Sequence, residues 1–181
     1  MNPSTANSRT ELQLAAAKLV LGFTQSWDIP PVADRAISNG EYSPALAELA
    51  DLKNPVRADV EPLFVKALAE MGLSMRSRVD SAWLIARHCI EQIALKTESL
   101  RAALSLLKET SYVVRDVLPD KKYVGENLDL GALIGIYWSY TEPEENCFEG
   151  RVITDETERR AILDSLARDE AREWLSRHGL E

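Results

Sequence analysis

Cysteine and histidine are both scarce, at two residues each in 181. Cys89 and Cys147 can form at most one bridge, so no disulfide framework organises the chain. Cys89 lies in an apolar helical run, where a free thiol behaves as a small buried hydrophobe. Cys147 lacks the flanking cations or helix N-terminus that would lower its pKa, and it makes a nucleophile only if the fold brings His88 or His178 to it. His88 and Glu91 are one helical turn apart, but a carboxylate metal site in a bundle needs a second such pair and further acids. No metal and no cofactor are expected. Gly125, Gly131 and Gly135 do not follow a strand, so no glycine loop is set to cradle a phosphate.

Long apolar runs are absent too. None approaches the roughly 18 residues of a membrane span. The polar stretch Met1–Thr10 has neither the basic start nor the apolar run of a signal peptide, which points to a cytoplasmic protein. Basic patches are missing: Arg76/Arg78 and Lys121/Lys122 are pairs rather than stripes. With 21 Lys plus Arg against 29 Asp plus Glu, the chain carries a net charge of −8 and repels phosphate backbones. Nucleic acid and membrane are therefore not expected partners.

What is present is an ordinary globular composition, with 45% hydrophobic and 28% charged residues. A chain of this length buries about 70% of its unfolded surface, enough for a core. The charge is unevenly spread. Residues 1–50 hold 3 bases and 5 acids, residues 51–110 hold 9 and 8, and residues 111–181 hold 9 and 16. Nearly all the imbalance, −7, sits in the last third.

The apolar pattern is helical almost throughout. Residues 1–10 read as a disordered tail, with Ser8 and Glu11 placed as a capping box for a helix carrying Leu12, Ala16, Leu19, Val20 and Phe23. Pro30-Pro31 opens a short helix that Asn39-Gly40 closes, and Ser43-Pro44 starts another with Leu46, Leu49 and Leu52 on its apolar face. Asp59 is placed to cap a fourth, with Pro62 in its first turn.

Val79 to Ile93 and Leu100 to Leu118 give two stripes of different phase, read as a central antiparallel hairpin. Trp83 falls on the first of these stripes. Residues 119–127 form a loop, and Leu128–Tyr140 returns to helix. Thr141–Thr154 is a loop with a short extended piece at Arg151–Ile153. Asp155 with Glu158 caps a last helix bearing Ile162, Leu163, Leu166, Ala171, Trp174 and Leu175. The expectation is an all-α, single-domain helical bundle of six or seven helices spanning residues 11–181. Such segmentation is common among small bacterial helical proteins, an analogy of fold class that carries no function.

Four places bear on function. Ala33–Leu52 has the outline of a helix-turn-helix, but its second helix has no base-reading cation before Lys53, so two packed helices are the expectation. Gly131 and Gly135 share one helix face and would let another helix approach closely, inside the domain or across a homodimer, or let a ligand lie against bare backbone. Tyr137-Trp138-Ser139-Tyr140 precedes an acidic run; between Glu142 and Glu158 there are seven acids and one base, Arg151. Aromatic residues with polar tips beside a charged rim have the makeup of a protein-binding patch. Trp138, Tyr140, Glu142, Glu144 and Glu145 are therefore the candidate partner-binding residues.

The leading expectation is a non-catalytic interaction module (an adaptor, an inhibitor or an immunity-like protein) that binds a basic protein through its acidic C-terminal third. Nothing positive points to an enzyme. The alternative is a small-molecule-binding bundle or cofactor-free enzyme with a largely apolar pocket near the 128–140 helix, drawing on Tyr137, Arg87 or His88. A purely structural homo-oligomer is the third.

Overall fold

The structure is a computed structural model and describes residues 3–95, 99–141, 147–148, 151–153 and 155–179. Eight α-helices account for most of these residues: α1 (Pro3–Leu21), α2 (Ile29–Ser38), α3 (Pro44–Ala50), α4 (Arg57–Glu70), α5 (Arg78–Leu95), α6 (Leu100–Val113), α7 (Gly131–Thr141) and α8 (Glu156–Arg177). One antiparallel ribbon joins the last two helices, with β1 (Cys147–Phe148) paired to β2 (Arg151–Val152) in the register Cys147 to Val152. The protein is all-α, as its periodicity predicts, and the ribbon includes most of the extended piece expected at Arg151–Ile153. Among the described residues no helix is long and apolar enough to cross a membrane.

The helices group into two compact units, Met1–Leu84 and Ile85–Glu181. The division falls inside α5, so no Gly- or Pro-rich linker marks it in the sequence.

In the first unit, consecutive helices pack on one another, α1 on α2, α2 on α3 and α3 on α4. Leu12, Leu19, Ile29, Leu46, Leu49, Phe64 and Leu68 fill one continuous apolar core, with Ala33, Ala36, Ala45 and Ala67 between them. Those small side chains let the helix axes approach closely. Ser43 caps α3 as its position before Pro44 predicts, its Oγ accepting from the Leu46 N–H at 3.1 Å. The turn before it is closed at Gly40 (φ 94°), where the Glu41 N–H donates to the Ala36 carbonyl at 3.0 Å.

Several expected boundaries move; α6, for one, ends at Val113 rather than Leu118. Helix α1 starts at Pro3 instead of after residue 10, and Ser8 is fully buried within it. A small hydroxyl on the inner face of a helix suits burial as well as it suits a cap, and local sequence does not separate the two. Helix α4 starts one turn before Asp59, whose carboxylate reaches back to accept from the Val56 N–H at 3.1 Å. Pro62 therefore lies past the first turn.

In the second unit α6 packs on α7, and α7 on α8. Both helices expected of the central pair exist, as α5 and α6; residues 96–98 between them lie outside the described residues. Asp155 caps α8 as expected, accepting from the Glu158 N–H at 2.8 Å. The inner face of α8 is Arg159, Leu163, Ala167, Ala171 and Trp174, whereas Leu166 is 43% exposed. Trp83 is only half-buried, while Trp174 is 1% exposed.

Candidate functional site

Helix α7 carries the expected aromatic residues, and its neighbours fix it at both ends. The approach to its N-terminus, expected as a loop over 119–127 with helix from Leu128, holds a short 3-10 turn at Glu126–Leu128, and α7 begins only at Gly131. Asp120 accepts from the Gly125 and Asn127 N–H groups at 3.0 and 3.1 Å and pairs with Arg115 at 2.6 Å. Buried Asn127 exchanges two bonds with Ser111, at 2.8 and 3.0 Å.

Gly125 sits at φ 93°, and a Cβ there would lie 2.5 Å from Ile134 Cδ1. The positive φ, together with the Leu130 and Gly131 backbone at 3.2 and 3.3 Å from such a Cβ, favours glycine at this turn. Trp174 completes the anchor by donating its indole N–H to the Leu128 carbonyl at 3.2 Å.

The C-terminal end of α7 is held by α8. The Arg159 guanidinium, 5% exposed, donates to the Ser139 carbonyl at 2.6 Å and forks onto both Glu156 oxygens at 2.7 and 2.9 Å. It thus satisfies a carbonyl that the end of a helix leaves without an intrahelical donor. Tyr140 donates its hydroxyl to Asp164, which also takes Arg168 at 3.1 Å. Burial, then this bond to a carboxylate, pushes the Tyr140 phenol well above its ordinary pKa.

The structure therefore separates the two aromatic candidates. Tyr140 is committed to α8 and braces the fold. Trp138 is 38% exposed and meets Tyr137 edge-on, with ring centroids 5.3 Å apart. The Lys108 ammonium lies 4.7 Å from the Tyr137 ring centre and 5.3 Å from that of Trp138. Glu109, 3.2 Å away, is the main reason this ammonium is held above its ordinary pKa, and it offsets the local positive charge. Glu142, Glu144 and Glu145 follow α7 directly in the sequence and lie outside the described residues.

The two helix glycines behave differently from the packed pair that their spacing suggests. A Cβ at Gly131 or Gly135 would meet nothing within 4 Å. Among the described residues nothing lies within 4 Å of where those Cβ atoms would stand, and Trp138 follows on the same helix face with Lys108 of α6 beside its ring. Spacing identifies a shared face, but it does not say whether that face is covered.

The cleft found near α7 also differs from the apolar pocket expected with Tyr137, Arg87 or His88. It has a volume of about 340 Å³ and is lined by Lys121, Glu126, Asp129, Gly131, Ala132, Glu170 and Arg177. Its acids are largely engaged by the protein. Asp129 holds Arg177 and His178, each at 3.1 Å; Glu170 holds Arg177 at 2.8 Å; and Glu126 accepts from the Tyr123 N–H at 3.0 Å. The N–H groups of Tyr123 and Lys122 hold the Glu126 carboxyl below its ordinary pKa.

The remaining candidates disperse. Glu91 accepts from Arg87 at 2.8 Å on the same helix as His88. His178 stacks on Trp174 with ring centres 4.2 Å apart. Cys147 falls in β1. Among the described residues no group of three His, Cys, Asp or Glu is placed to hold a metal ion.

Sequence reasoning missed Arg159, Asp164 and Lys108 as the residues that set α7. A signal existed for Arg159, which stands at helical spacing with Leu163, Ala167, Ala171 and Trp174. A charge on an apolar stripe points to a buried partner. Lys108 and Asp164 carry no such mark, because their partners are 29 and 24 positions away. Compared with family models, characterised proteins and solved structures, the chain matches none of them.

Proposed function

We propose that the chain is a non-catalytic interaction module that binds a basic protein along the Gly131, Gly135 and Trp138 side of α7 and the acidic segment after it. The observation that carries this reading is the face of Gly131 and Gly135, where among the described residues a Cβ would meet nothing within 4 Å, continued by Trp138 at 38% exposure. Bare backbone at the two glycines admits close approach, and Trp138 supplies an amphipathic anchor of the kind enriched at interfaces. The −7 charge of residues 111–181, with Glu142, Glu144 and Glu145 at its centre, would speed encounter with a basic surface and make binding sensitive to salt.

Affinity capture from the native lysate at low and moderate salt tests this, using the wild type, Trp138→Ala, and a variant combining Glu142→Lys, Glu144→Lys and Glu145→Lys. A stoichiometric protein should be held by the wild type, less well at moderate salt, and lost by both variants. Retention that is indifferent to salt and to charge reversal would sink the proposal, as would the absence of any stoichiometric protein.

The second reading is a small-molecule site, and the cleft at the N-terminal end of α7 is what favours it. Its lining is charged rather than apolar, so the ligand class is polar and ionic. A thermal-shift screen of polar metabolites would separate the two readings. A hit abolished by Lys121→Ala but untouched by Trp138→Ala belongs to the cleft.

A further inference from the structure

We draw no further inference here: the strongest candidate, the charged cleft at the N-terminal end of α7 beside Lys121 and Arg177, belongs to the site already described and adds only the start of a helix and exposed charges, with nothing in the structure to show what fills it.

Discussion

The two units reach stability by different means. The first is held by apolar side chains from four helices, with polar contacts such as Arg9 to Glu41 at 2.8 Å and Glu70 to the Ala45 N–H at 3.0 Å beside that core. The second has an apolar core as well, but it fixes α7 through directional groups, namely Trp174 on Leu128, Arg159 on Ser139, Tyr140 on Asp164, and Asn127 on Ser111. Burial is non-directional and settles any helix with a suitable stripe. Hydrogen bonds to named carbonyls hold a helix whose stripe does not suffice.

The largest expected effects probe the two cores. Phe64→Ala in the first unit and Trp174→Ala in the second should each cost about 3–5 kcal/mol. Urea unfolding measures this, and a loss below about 1 kcal/mol at either position would overturn its assignment as core. The contrast sharpens with a second change at Trp174. Trp174→Phe keeps most of the apolar burial and removes the donor to Leu128, so it should still cost about 1–3 kcal/mol.

Next in size is a pair of glycine substitutions on either side of the α7 N-terminus. Gly125→Ala should destabilise by more than about 1 kcal/mol, because φ is positive and the new methyl meets Ile134. Gly135→Ala should instead stabilise by about 0.5–1 kcal/mol, since helix propensity improves and the space is open. The same Gly135→Ala protein should bind its partner more weakly. Unchanged binding together with higher stability would show that the glycine face is not the docking surface.

A smaller effect separates local from tertiary control in the first unit. Ser43→Ala removes the cap of α3 and should cost about 1 kcal/mol, read as a shift in unfolding midpoint at constant slope.

The smallest effect is the pH dependence. Glu70 in the first unit and Glu126 and Glu156 in the second are held below the ordinary value of 4.5, by backbone N–H donors at the first two and by Arg159 and Arg160 at the third. Their folded pKa values are lowered, so the stability they contribute is complete above the ordinary carboxylate range. It is lost as pH falls through the lowered folded values. The melting temperature should therefore decline below about pH 5. Glu126→Gln keeps an acceptor for the Lys122 and Tyr123 N–H groups without titrating, so its decline should be shallower. An identical profile would remove Glu126 from the account.

The helices, their order and most of their caps were legible in the sequence. Ser43 before Pro44, Asn39-Gly40 after α2, and Asp155 with Glu158 all act within one turn of chain, so neighbouring residues suffice to specify them. Helical periodicity likewise placed Leu46, Leu49, Leu163 and Trp174 inside, since a stripe must face something apolar. The candidate site was only half legible. Tyr137 to Tyr140 stood out by composition, but which aromatic would be spent on the fold depended on Asp164, 24 residues beyond Tyr140.

Sequence by itself determined that this protein is all-α, the order of its helices with several of their caps, and that its acidity gathers in the last third. Tertiary structure alone decided that Tyr140 is braced while Trp138 stays exposed, that Gly131 and Gly135 face open space, and that the division between units falls within α5. The physical reason is range. Propensity, capping and periodicity are set by residues within a few positions of one another. Coverage of a face, and the partner of a buried polar group, depend on which distant segment arrives beside it.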